Sequence, residues 1–173
     1  RSRGLGDVYK RQVDTAAITI QMGVPVARIE LLDDIQINAV NKFSGLDYEE
    51  KPTLFFEFHG TERSVVEQSE QVAEIIRDLG GSEFVWCIKQ EDKNKLWQAR
   101  HDAYYASMAL RPNSRIWTTD VCVPISRLSE CIEATRKDVT EHNVLAPIVG
   151  HVGDGNFHLL IVVDTGNELS LIH

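Results

Sequence analysis

Two imidazoles flank a glycine-rich centre in the run Gly150-His151-Val152-Gly153-Asp154-Gly155-Asn156-Phe157-His158. Asp154-Gly155 between two apolar stretches predicts a two-residue hairpin. Counting outward from that turn pairs Gly153 with Asn156, Val152 with Phe157 and His151 with His158. Directly opposed residues share a face, with Cβ atoms about 4.5–5.5 Å apart. Two rings so placed reach one metal ion at ring-nitrogen distances of about 2.0–2.1 Å. Asp154, at the tip, does not join them, so a third ligand must come from elsewhere. The plainer alternatives are that the rings stack on each other or hydrogen-bond to backbone. A calcium loop does not fit the glycine spacing or the lack of further acids.

A second constellation is Leu96-Trp97-Gln98-Ala99-Arg100-His101-Asp102. Trp97 and Arg100, three apart on a helix, share a face. Tyr104 lies one turn beyond Arg100, with Tyr105 beside it. An arginine grips a carboxylate with two parallel hydrogen bonds, so this face suits a small carboxylic acid. The alternative is a surface arginine paired with a nearby acid. His59 and His101 read as structural or exposed, and Arg28 with Glu30 as a solvated ion pair. Sequence patterns of serine and cysteine hydrolases, zinc peptidases and phosphate-binding loops do not occur. The Gly4-x-Gly6 pair precedes no strand and carries no weight as a phosphate loop.

The elements that must position these residues alternate between strands and helices. Strands are expected at 25–32, 53–59, 83–89, 116–123, 146–151 and 157–163. Helices are expected at 33–42, 61–79, 91–110 and from a Ser126 cap to about 142. Thr61 is the expected N-cap of the second helix, and Gly80-Gly81 its stop. Aromatic and charged residues alternate in Thr53–His59, which favours one wet sheet face. The expected class is α+β: an antiparallel sheet with helices packed on one face, ferredoxin-like, in one domain.

Composition narrows the partners. The 173 residues are 43% hydrophobic and 25% charged, which fits one ordinary globular domain. No run of about 18 apolar residues occurs, so nothing here is expected to span a membrane. No apolar signal core is present, and secretion is not expected. A net charge of −8 without a basic stripe disfavours nucleic acid and means that an anionic ligand needs a local cation. Cys87, Cys122 and Cys131 are odd in number and form no C-x-x-C, which fits a reducing compartment rather than a disulfide framework.

The ends pattern differently. Residues 1–12 and 168–173 resemble translated sequencing-adapter sequence and are set apart as a non-native leader and tail. Residues 13–167 are then the native domain, with 14 basic and 24 acidic residues, a net of −10.

Together, GHVGDGNFH, TTDVCVPISRL, LWQARHDAYYA, PVARIELLD and PTLFFEFHG resemble the C-terminal half of FAD-linked D-lactate dehydrogenases of the cytochrome-reducing type. The likeness spans 13–164. The histidine motif is also shared with glycolate oxidase subunits and D-2-hydroxyglutarate dehydrogenases. The resemblance implies the substrate and cap domain of an FAD-linked oxidase, truncated at its C-terminus, from a flavoenzyme that oxidises D-lactate to pyruvate. It implies FAD held mainly by a preceding domain, with hydride transfer to the flavin. It also implies a divalent metal (zinc, manganese or iron) on His151 and His158 that assists at the substrate hydroxyl. Arg100 would contact the substrate carboxylate, and Tyr104 would line the pocket. No catalytic residue is assigned: the family's third ligand and candidate base, in an E-H-G motif, are expected beyond Asp164. Relatives acting on 2-hydroxyglutarate tend to carry Asn where Leu160 stands, so a monocarboxylate is favoured. The expected partners are a small 2-hydroxy acid and an electron acceptor such as a cytochrome or quinone. The setting would be bacterial, cytoplasmic or membrane-associated, or else mitochondrial. The domain alone is expected to be inactive. The alternatives are a sister 2-hydroxyacid dehydrogenase, acting on glycolate or another small hydroxy acid, and a non-enzymatic metal-binding module.

Overall fold

A computed structural model describes residues 5–81 and 90–166. The strand expected at 83–89, and Cys87 with it, lie outside the described residues. Six strands among them pair throughout in antiparallel fashion: β1 (Val26–Leu32), β2 (Thr53–Phe58), β3 (Ser114–Thr118), β4 (Val121–Cys122), β5 (Ile148–Gly150) and β6 (Asn156–Asp164). The order across the sheet is β2-β1-β5-β6-β3, with β4 also on β6. The α+β class with an antiparallel sheet is therefore what forms.

Helices cover a second face as well as the first. Ile29, Leu31, Ile148 and Phe157 pack against α1 (Leu5–Gln21) and α6 (Ile125–Glu141). On the same side Phe56 and Phe58 meet Val72 and Ile75 of α3 (Glu62–Asp78). Leu32, Phe55, Val149 and Leu160 point the other way. They pack against Ile37 and Val40 of α2 (Asp34–Ser44), Ala99 of α4 (Gln90–His101), and Ala103 and Ala106 of α5 (Ala103–Ala109). Apolar residues at consecutive positions, such as Leu31-Leu32 and Phe55-Phe56, feed both cores because neighbours on a strand face opposite ways. The face of Thr53–His59 expected to be wet is covered at Phe55, while Glu57 is partly exposed and His59 exposed. Among the described residues no helix is long and apolar enough to cross a membrane.

The cap chemistry of two helices follows from sequence. Thr61 accepts from the Ser64 N–H to start α3, and Asp33 accepts from the Gln36 N–H at 2.6 Å to start α2. Ser126 is not a cap: α6 begins at Ile125 with Pro124 in the cap position and no side-chain bond. The helix expected at 91–110 breaks at Asp102. There α5 turns onto α2, held by a buried network in which Ser107 donates to Gln36 Oε1 (2.8 Å) and Gln36 Nε2 donates to the Ala103 carbonyl (3.1 Å). The strand expected at 116–123 splits at Thr119-Asp120, so that β4 and β3 pair successive halves of β6.

Helix α1 was not expected. Residues 5–12 form its first turns, and Tyr9 is buried in the core. Its later part, Val13-Asp14-Thr15-Ala16-Ala17-Ile18-Thr19-Ile20, is rich in β-branched residues of modest helix propensity. Burial of Val13 and Ala16 outweighs that, and Thr15 and Thr19 turn their hydroxyls back to the Arg11 and Thr15 carbonyls. Nearby, Arg136 of α6 donates to Asp33 Oδ2 and Asp34 Oδ1, each at 3.1 Å. Burial pushes the Asp33 carboxyl up to about 7, with the Arg136 guanidinium pulling the other way.

Candidate functional site

The histidine run does not make a two-residue hairpin. β5 ends at Gly150, and Val152–Asp154 form a single 3-10 turn before Gly155 enters the left-handed region at φ 73°. The Asp154 and Asn156 N–H groups both donate to the His151 carbonyl, at 2.9 and 3.2 Å. Val149, not His151, lies opposite His158. The reason is Val152, whose burial in the core beside Ile29 and Leu128 draws the chain inward just where a tight hairpin would carry it straight on. Gly150 must be glycine, since a Cβ there would lie 2.6 Å from the Asn156 carbonyl oxygen and 2.7 Å from Phe157 Cα.

The two rings nevertheless converge. Their centroids are 6.1 Å apart, with planes at 87°. His158 donates from Nδ1 to the Thr119 carbonyl at 3.0 Å. The break between β3 and β4 is what leaves that carbonyl out of the regular ladder. His151 donates from Nδ1 to Glu30 Oε1 at 2.5 Å. In the neutral form each ring then carries its lone pair on Nε2, the arrangement of an imidazole that binds a metal ion. The centroid separation lies within the span of two rings whose nitrogens are each about 2.0–2.1 Å from a shared ion. Among the described residues no set of three His, Cys, Asp or Glu side chains comes together to hold an ion.

Glu30 corrects the sequence reading most sharply. It is not half of a solvated pair with Arg28. It is 0% exposed in the middle of β1, and its second oxygen accepts from Arg100 Nε at 2.9 Å. Arg28 instead lies over the Trp97 ring at 4.6 Å and faces Glu57. Trp97 packs edge-on against Phe55 in the second core. The available signal was a lone carboxylate in the apolar run Arg28-Ile29-Glu30-Leu31-Leu32, at a position alternating toward the covered face.

Arg100, His101, Ala103, Tyr104, Thr118, Val149, His158 and Leu160 line one open pocket of about 230 Å³. Arg100, Tyr104 and His158, singled out in the sequence, thus meet at one place, and Leu160 supplies an apolar wall. Tyr104 is braced edge-to-face by the exposed Tyr105 at 5.5 Å. His101 bonds to the Trp97 carbonyl at the pocket lip. His59 is exposed beside Glu57, away from this pocket. The guanidinium can serve a ligand here: Glu30 occupies Nε, and the terminal nitrogens carry four of the five N–H donors.

Comparison with known proteins gives a consistent picture. The family described as FAD linked oxidases, C-terminal domain, matches residues 8–171. A protein of Danio rerio named probable D-lactate dehydrogenase, mitochondrial, is 53% identical over 93% of this chain and 33% of its own length. An Arabidopsis thaliana protein named D-lactate dehydrogenase [cytochrome], mitochondrial, is 40% identical over 92% of this chain and 28% of its own. The Escherichia coli glycolate oxidase subunit GlcD is more distant, at 25% identity over 84% of this chain. The chain spans about a third of the length of the curated relatives it matches. Among solved structures, alkyldihydroxyacetonephosphate synthase shares the fold, with a TM-score of 0.64 at 12% identity over 92% of this chain and 35% of the other.

Proposed function

The chain belongs to the family of FAD-linked oxidase C-terminal domains, and on that premise we propose that it is the substrate-side domain of an enzyme oxidising D-lactate to pyruvate. The observation that carries this is that Arg100, Tyr104, His158 and Leu160 line one pocket, with the His151 ring alongside. The names of the relatives support the same substrate.

Arg100 binds the carboxylate through its terminal nitrogens, since Glu30 already holds Nε in place. Tyr104 closes one side of the pocket. Leu160 makes the wall apolar, which suits a methyl group and penalises a second carboxylate stripped of water there. His151 and His158, with Nδ1 protons tied to Glu30 and the Thr119 carbonyl, would hold a divalent ion through Nε2. When bound, FAD would supply a hydride acceptor, and such an ion would supply Lewis acidity at the substrate hydroxyl. A cytochrome as electron acceptor and a mitochondrial setting are part of the same proposal, as the names of relatives suggest.

The test is a substrate panel on the full-length parent with a dye acceptor. D-Lactate should give the highest kcat/KM, above glycolate and D-2-hydroxyglutarate. Preference for glycolate would move the protein to the sister activity. Turnover of none would overturn the proposal.

A further inference from the structure

We infer that Glu30 is a positioning residue that locks together the two halves of this site, the imidazole pair and the carboxylate-binding arginine; the inference rests on the functional reading above. Two donors from distant parts of the chain meet one side chain: His151 Nδ1 at 2.5 Å on Oε1 and Arg100 Nε at 2.9 Å on Oε2. A carboxylate accepts from both. A glutamine of the same shape offers one acceptor and one donor, so one contact must fail. An aspartate is shorter by one methylene and cannot span both from the same place on β1.

The position is not one that stability would choose. Glu30 is fully buried between Ile29 and Leu31, and its β2 partner in register is Phe55. A carboxylate stripped of water costs several kcal/mol, and a buried ion pair often gains nothing over apolar packing. What the carboxylate secures is geometry. It fixes His151 in the tautomer with Nε2 unprotonated, and it fixes the plane of the Arg100 guanidinium so that its terminal donors serve the pocket. A shift in one partner is thereby transmitted to the other through a single rigid group.

The experiment uses the full-length parent with Glu30→Gln and Glu30→Asp, each also combined with His151→Ala and with Arg100→Ala. Zinc affinity is read by chelator competition, KM and kcat with D-lactate, and folding by FAD content and melting midpoint. Glu30→Gln should weaken zinc roughly 10- to 100-fold, as loss of an outer-shell partner does. It should raise KM about tenfold while FAD content stays native. In the His151→Ala background the zinc effect should vanish, and in the Arg100→Ala background the KM effect should vanish, because coupled groups are non-additive. A merely structural Glu30 would lower the melting midpoint and give additive effects, and that result overturns the inference. So does unchanged zinc affinity and KM in folded Glu30→Gln. If Glu30→Gln fails to fold, Glu30→Asp decides by the same readouts. A parent that binds zinc through His151 but ignores D-lactate overturns the substrate reading, while the zinc arm still decides Glu30. A wild type that binds no zinc overturns the imidazole half of the inference.

Discussion

Two glycines in the histidine run should respond to the same substitution by very different amounts. At Gly150 a methyl group would sit 2.6–2.7 Å from the Asn156 oxygen and from Phe157 Cα and Cβ. Ordinary contacts of this kind begin near 3.4 Å, so β5 and β6 must separate by most of an ångström, and two of the three obstacles are backbone. Overpacking of this sort costs roughly 1–3 kcal/mol, and an immovable neighbour puts Gly150→Ala near the top, at about 3 kcal/mol. For a domain of this size that is a fall in melting midpoint of roughly 6–12 °C. At Gly153 the nearest atoms to the methyl would be the Ile29 side chain and backbone nitrogen at 3.4–3.6 Å, which is ordinary contact. Gly153→Ala should therefore shift stability by less than about 1 kcal/mol. Thermal and urea unfolding of both variants checks this. Equal effects, or a harmless Gly150→Ala, would refute the close approach of β5 and β6 that places both histidines.

Further outcomes follow from other contacts. Arg100→Lys in the parent should raise KM for D-lactate at least tenfold, because a point charge cannot both hold Glu30 and grip a carboxylate with two prongs; steady-state kinetics at saturating acceptor read it. Asp33→Asn removes a carboxyl whose folded pKa, about 7, lies above its ordinary 3.8. The folded state thus holds that proton more tightly, so its stabilisation is complete below about pH 4 and lost as pH rises through 7. Relative to Asp33→Asn, the native protein should lose stability over that window by at most roughly 4 kcal/mol, read as the difference in urea midpoints at pH 4.5 and 7.5. Gln36→Leu leaves the Ser107 hydroxyl and the Ala103 carbonyl without Gln36 and should cost about 1–3 kcal/mol in unfolding experiments.

The sequence announced an element wherever one local signal was strong. Thr61, an apolar stripe and Gly80-Gly81 bounded α3, and the aromatic run marked β2. Where tertiary contacts outvote local chemistry it was misleading. α1 was missed because its first turns fall in the residues set apart as a leader and β-branched residues follow them, burial of Val152 displaced the expected turn, and docking of α5 on α2 broke a helix at Asp102. Of the candidate site, the sequence showed the parts and not their arrangement: Arg100, Tyr104 and His158 line one pocket. The register that was expected to bring the histidines together was wrong, and they meet through the 3-10 turn instead. Glu30 was hidden because its partners lie 70 and 121 residues away, and no local pattern reports such a distance.

That separation also sets when the site can exist. His151 and His158 are near neighbours along the chain, so an unfolded or half-folded molecule keeps two imidazoles within reach of one ion. The grip on His151 and Arg100 forms only after β1, α4 and the β5–β6 connection have all docked, closing loops of 70 and 121 residues. An ion would then have some affinity for the denatured chain as well as the native one. Its stabilising effect would fall short of what its native affinity alone implies, and early metal capture would precede substrate competence during folding.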